Sequence, residues 1–363
     1  MGTQLVHPDL MAGFVRAIDA CARLYQTHAR DLAYAHGRAS ERVNPMGDMP
    51  YRFDVETEAA VLAALKATNF TFVVTSEEHG RMCLNCDAET HAEFLLVLDG
   101  WDGSSHRLAH FKQHGSLEGL RGGPMFAVFA KGVQARYKDA LLAAVVEPGI
   151  QTALFAVAGR RTYKLPLRES FLRTLADRVG SAGPQDVWED LNDIVLGRSD
   201  VISERLHRSS EISVDLGIDG VAQIFGILPG FVGREPMRRV FWDRLEALDC
   251  PLQPVDHEAC VTNLARLFLD HGSRLFSCTG TRKGNLELAV AWLLLERAGG
   301  CMPYLWTSFG SAGLSSHFFD DHLVLKFAQY RRVDGEIQDI CLPVLFLAAG
   351  RTEADVVVSF FDR

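Results

Sequence analysis

The apolar positions of this chain fall into two kinds of run, which predict alternating helices and strands. From His7 to His36, the residues Leu10, Phe14, Ile18, Cys21 and Leu24 recur at helical spacing and mark one face of a long amphipathic helix. Asn44-Pro45-Met46-Gly47-Asp48 breaks that pattern with turn residues. A second helix follows from about Asp54 to Thr68, with Val55, Ala59, Leu62 and Leu65 turned inward. Phe70 to Val74 and Phe94 to Leu98 are short runs rich in aromatic and aliphatic residues, as buried strands are. Further strands are predicted over Pro124 to Ala130, Leu141 to Val146 and Leu154 to Tyr163. The text from Leu165 to about Val255 is polar and helix-leaning. Alternation then resumes, with a strand at Leu275 to Cys278 and a buried helix from Leu286 to Ala298 stopped by Gly299-Gly300. Val344 to Ala348 reads as another strand and Ala354 to Phe361 as a terminal helix. The sum is a layered α/β (α+β) chain of two domains, 1–170 and 171–363, divided near the Gly180-Ser181-Ala182-Gly183-Pro184 break.

Composition narrows the classes. A chain of 363 residues has room for two packed domains, and 48% hydrophobic with 23% charged residues excludes disorder. No run approaches the roughly 18 apolar residues of a membrane span, and Met1 to Met11 has no secretory pattern, so a cytoplasmic protein without a membrane partner is expected. The net charge of −9 argues against a nucleic-acid partner. An acidic chain can still handle an anionic substrate where cations offset its carboxylates. Among eight cysteines, Cys83 and Cys86 form a lone Cys-x-x-Cys in a loop between two predicted strands. Zinc needs a second pair, so these are expected to be ordinary thiols.

The informative residues are acids at the ends of elements. Asp48 and Asp54 flank the start of the second helix, Glu77 and Glu78 follow one strand, and Asp99 and Asp102 follow the next. Strand ends are where open α/β sheets place their sites. Six such carboxylates in adjacent turns repel one another unless cations sit among them, and all-oxygen ligands favour Mg²⁺ or Mn²⁺ over zinc. Gly103-Ser104-Ser105 then makes a small-residue turn that could open a helix and present N–H groups to a phosphate. Carboxylates beside an anion-binding turn form a constellation for phosphoryl transfer.

These motifs resemble those of class I fructose-1,6-bisphosphatases. Gly47-Asp48, five residues, then Asp54-Val55 matches the family's Gly-Asp to Asp-Val spacing, and Ser76-Glu77-Glu78 its Ser-Glu-Glu. Asp99-Gly100-Trp101-Asp102-Gly103-Ser104-Ser105 is similar to Asp-Pro-Leu-Asp-Gly-Ser-Ser, and Glu287 stands nine positions before Glu296-Arg297-Ala298-Gly299-Gly300, similar to a Glu-Lys-Ala-Gly-Gly helix end. The superfamily also holds inositol monophosphatases, which usually carry Asp where Glu287 stands; Glu287 tilts the resemblance toward the bisphosphatase branch. Gly100, Trp101 and His106 depart from the pattern, standing for proline, leucine and asparagine.

The resemblance implies a sugar phosphatase fold with alternating α/β/α/β/α layers. It also implies a Mg²⁺- or Mn²⁺-dependent phosphomonoester hydrolase with two to three ions. Glu77, Asp99 and the Trp101 carbonyl would hold one ion, with Asp99, Asp102 and Glu287 on a second and Asp48 with Glu78 on a third. Asp54 and Glu78 would handle the water proton, beside Asp48 and Ser104, while Gly103, Ser104 and Ser105 cradle the phosphate. Asp54 also opens a helix, where a carboxylate could simply cap it. Arg282 and Lys283 are candidates for a second phosphate, although Thr281 occupies the aligned place. His79, His106, His110 and His114 cluster nearby as surface or supporting residues, and Trp292 and Phe309 read as core. The substrate would be a small-molecule sugar or polyol phosphate, with a sugar bisphosphate first, and a homo-oligomer is expected. Alternatives are an inositol monophosphatase, a 3′-phosphonucleotide phosphatase, or a catalytically weak binding or regulatory relative.

Overall fold

The computed structural model describes residues 6–31, 34, 37–39, 43–45, 49–160, 162–181, 212–215, 252–255, 275–279, 286–297, 303–307, 314–321, 323–327, 331–333, 336–338 and 344–348. Its centre is a seven-stranded sheet in the order β2-β1-β3-β4-β5-β6-β7. The strands are β1 (Phe72–Ser76), β2 (Gly80–Leu84), β3 (Phe94–Asp102), β4 (Gly123–Ala130), β5 (Ala140–Glu147), β6 (Thr152–Val157) and β7 (Thr162–Pro166). β1 and β3 run parallel, pairing Phe72 with Phe94 through Ser76 with Leu98, and every other neighbouring pair in this sheet is antiparallel. The parallel pairing brings the chain after Ser76 and the last residues of β3 out at the same end of their strands, where the acidic motifs lie.

Both faces of the sheet are covered, which is why its central strands read as unbroken apolar runs. One face packs against α1 (Pro8–His28), α2 (Arg52–Lys66) and the later helix α4 (Glu169–Ser181). Phe14, Ile18, Val61, Leu65, Leu172 and Val179 from these helices meet Val74, Leu96, Leu98, Phe126 and Val128. The opposite face carries Val73, Leu95, Val97, Met125, Ala127 and Phe129, and it packs against α5 (Leu286–Arg297). The helix named α3 spans Ser104–His114 and follows β3 directly. Trp292 is buried against Tyr137 and the sheet, as expected of a core residue. Thr162 Oγ1 donates to the Leu294 carbonyl at 2.7 Å, tying β7 to α5.

Four more strands form a second sheet, β10-β15-β11-β12, from Leu275–Thr279, Val344–Ala348, Pro303–Thr307 and Leu314–Phe318. β8 (Ile212–Asp215) pairs parallel with β9 (Leu252–Val255), and β13 (Arg331–Val333) with β14 (Glu336–Gln338) antiparallel. A four-residue helix, α6 (Val324–Phe327), packs its Val324 and Leu325 into the cluster around α5. No helix among the described residues is long and apolar enough to cross a membrane.

The structure refines several sequence expectations. α1 ends at His28, not His36, because Asp31 turns the chain: its N–H reaches the His28 carbonyl at 2.9 Å and its Oδ1 accepts from Tyr34 N at 3.0 Å. The segment expected as one strand over Leu154 to Tyr163 is the hairpin of β6 and β7. Cys83 lies on an edge strand, β2, and not in a loop, with Cys86 just beyond it. The expected helix at Ala354 to Phe361 and Phe309 fall outside the described residues.

Candidate active site

The end of β3 is the hinge of the site. Leu95 to Leu98 pair regularly with β4, then the register shifts between Asp99 and Asp102. Bulges of this kind re-aim side chains at sites. Asp99 and Asp102 are both buried, and Asp99 Oδ1 accepts the Trp101 N–H at 2.8 Å, which holds the turned-out segment. Gly103 then takes a left-handed conformation, φ 86°, that glycine adopts without steric penalty, and α3 starts at Ser104 with no side chain capping its first N–H groups.

Gly100 explains how α2 reaches this corner. A Cβ at that position would lie 2.3 Å from the Asp54 carbonyl oxygen, so only glycine allows the first turn of α2 to lie on the bulge. That close approach accounts for Gly100 where the resembled pattern has proline. It brings Asp54, which is 3% exposed, to the start of α3, where Ser104 Oγ donates to Asp54 Oδ2 at 2.7 Å. The same hydroxyl lies 3.1 Å from the Trp101 carbonyl. The N-cap of α2 is Tyr51, so Asp54 is a first-turn residue whose carboxylate is directed to other elements and does not cap the helix.

Sequence reasoning missed Arg107. This residue, 1% exposed, forms an ion pair with Asp54 Oδ1 through Nη1. Its guanidinium carbon lies 5.1 Å from the Trp101 ring centroid and 5.3 Å from those of Tyr51 and Phe53. Its spacing of three from Ser104, which puts both on one helix face, was the available signal.

A second acidic corner follows β1. Glu77 N donates to the Leu98 carbonyl at 3.3 Å, anchoring Glu77 and Glu78 beside the end of β3. Glu58, fully buried on α2, accepts from Glu78 N at 3.2 Å and lies 2.7 Å from His79 Nδ1. Burial holds the Glu58 carboxyl above the ordinary range, and the bond from Glu58 raises His79. Glu78 is pushed up to about 8, by burial first and then by the charges of Asp54, Glu77 and Glu58; Asn44 Nδ2 donates to it at 3.2 Å and opposes the shift.

No family model and no curated protein sequence matches this chain. Solved structures do. The holo fructose-1,6-bisphosphatase of Leishmania major aligns with a TM-score of 0.58 at 15% identity, over 98% of this chain and 94% of that one. The apo form of the same enzyme gives 0.56 at 14% identity, over 99% and 95%. The inositol monophosphatase of Anabaena (Nostoc) sp. PCC 7120 gives 0.50 at 13% identity, over 96% and 92%. The chain has the sugar phosphatase fold.

Within that fold, the structure brings Asp54, Ser104, Asp99, Trp101 and Asp102 to one corner, with Glu77 and Glu78 on the adjoining turn. The carboxylate and carbonyl oxygens among them are of the kind that suits a hard divalent cation. Among the described residues, no three His, Cys, Asp or Glu side chains converge closely enough to hold an ion. Asp48, Arg282, Lys283 and the side chains of Ser105, His106 and Glu287 lie outside the described residues; Glu287 itself is the second residue of α5. His110 meets the Glu118 carbonyl at 3.0 Å and packs on His114.

Proposed function

We propose that this chain is a metal-dependent phosphomonoester hydrolase acting on a sugar bisphosphate. The observation that carries this reading is the junction of β3 and α3, where buried Asp99 and Asp102 precede an uncapped helix N-terminus and Ser104 bonds Asp54. The fold shared with a fructose-1,6-bisphosphatase and an inositol monophosphatase supports it. Glu287, ahead of the Glu296-Arg297-Ala298-Gly299-Gly300 segment, favours the bisphosphatase over the monophosphatase.

Glu77, Asp99, Asp102, Glu287 and the Trp101 carbonyl would hold Mg²⁺ or Mn²⁺, with Asp48 and Glu78 on a further ion. Bound there, the metal acidifies water and offsets charge on the phosphate. The chain's own residues do the rest. Backbone N–H groups of Gly103, Ser104 and Ser105, at the positive end of α3, bind the phosphate oxygens. The Ser104 hydroxyl, held by Asp54, orients the attacking water, and Glu78 with Asp54 accepts its proton. Arg282 and Lys283 would take a second phosphate, and the working assembly would be a homo-oligomer in the cytoplasm.

A phosphate-release screen over sugar bisphosphates, inositol phosphates and 3′-phosphonucleotides, with Mg²⁺ and with Mn²⁺, tests this. Turnover highest on a sugar bisphosphate is expected; no release from any of them in either metal rejects the reading.

A further inference from the structure

Arg107 is a charge that the motif pattern does not contain, set against a residue that the motif does. It lies on α3 one turn after Ser104, and Asp54 sits between the two: Oδ2 takes the Ser104 hydroxyl, Oδ1 the Arg107 guanidinium. Both oxygens of one buried carboxylate are therefore engaged from a single helix face. The remaining donors, Nε and Nη2 of Arg107, have no hydrogen-bond partner among the described residues although they are buried. Buried donors without partners are costly, so a compensating environment is needed. Here it is the ring of Trp101, Tyr51 and Phe53 around the guanidinium, each centroid within 5.3 Å, whose π electrons attract the cation.

We propose that Arg107 is a positioning residue: a built-in cation that fixes Asp54 against the Ser104 hydroxyl. Ser104 has one hydrogen and two acceptors within reach, Asp54 at 2.7 Å and the Trp101 carbonyl at 3.1 Å. The shorter, charged bond wins it. Arg107 keeps it so, because among the described residues it is the ion-pair partner of the buried Asp54. Two of the three caging rings, Tyr51 and Phe53, come from the same turn of chain as Asp54, and the third, Trp101, supplies the competing carbonyl. Trp101 thus has a side-chain task that leucine could not perform, which accounts for this departure from the resembled motif. Lysine could keep the charge but not the planar fork or its stacking. This inference rests on the proposed hydrolase reading for its kinetic arm only.

The experiment is a double-mutant cycle on the full chain with Arg107→Met, Asp54→Asn and their combination. Each is read for phosphate release and, separately, for urea unfolding in the absence of divalent metal. Arg107→Met is expected to lower kcat by on the order of 10–10²-fold with KM within about twofold, and the combination to be no slower than Asp54→Asn alone, since both act through one carboxylate. Arg107→Lys is expected to fall between parent and Arg107→Met at the same KM. A parental kcat in Arg107→Met, or a combined loss equal to the product of the single losses, overturns the proposal. If Arg107→Met does not fold, Arg107→Lys decides: a lowered kcat at unchanged KM supports the role, and a parental kcat overturns it. In urea, the two substitutions are expected to be non-additive by about tenfold or more in the unfolding constant; additivity overturns the pair. Should the parent release no phosphate from any substrate, the hydrolase reading fails, and the unfolding cycle alone decides for or against Arg107.

Discussion

At the corner between α2 and α3, the carboxylate of Asp54 is buried with a guanidinium beside it and a hydroxyl in front. At the corner after β1, Glu78 is pushed up to about 8, by burial first and then by the charges of Asp54, Glu77 and Glu58. Both corners are acidic, and they meet at the end of β3. The first carries its positive charge in the chain and can assemble as soon as the chain folds. The second gathers several acids, with His79 against Glu58, and on the proposed hydrolase reading it is where a divalent cation would bind.

Removing divalent metal should therefore strike the second corner hardest. Dialysis into excess EDTA is expected to abolish phosphate release and added Mg²⁺ to restore it; full turnover in EDTA would erase the contrast between the corners. Next in size is Asp54→Asn, expected to cut kcat by about 10²-fold or more. Because it leaves the buried Arg107 unpaired, it should also cost roughly 3–5 kcal/mol in urea unfolding, where breaking a surface pair would cost ~1 or less. A loss of only a few tenths would show that the first corner does not depend on its ion pair. Gly100→Ala tests how the corners are brought together, since its Cβ would meet the Asp54 carbonyl. We expect a destabilisation of about 1–3 kcal/mol with a fall in kcat, and an unchanged melting temperature would argue against the close approach. The smallest effect is expected from Cys86→Ser, whose half-buried thiol donates to the Phe72 carbonyl at 3.4 Å: stability within about 0.5 kcal/mol and parental turnover, checked by thermal melting and the same assay.

The strands that carry the site were readable because their physics is local. Leu95 to Leu98 and Phe126 to Val128 are covered on both faces, so apolar residues fill every position. β2 was not readable: on this sheet edge Gly80 is buried, Arg81 exposed and Met82 half-buried, a run with no clean alternation of apolar and polar residues. The motif acids were visible through their spacing, yet their partners were not. Arg107 and Asp54 are separated by 53 positions, and the pairing depends on Gly100 letting two backbones touch. Sequence periodicity reports which face of one element is buried, and says nothing of what another element places against it.

The position of α5 has a consequence for how the chain is made. Val73, Leu95, Val97, Met125, Ala127 and Phe129 are all synthesised before β5, yet the helix that covers them begins only at Leu286. On a ribosome adding about 5–20 residues per second, that face of the sheet waits several seconds or more without its cover. A nascent chain stalled before α5 would thus present a broad apolar surface to its surroundings, and chaperone capture during translation is the natural protection for it.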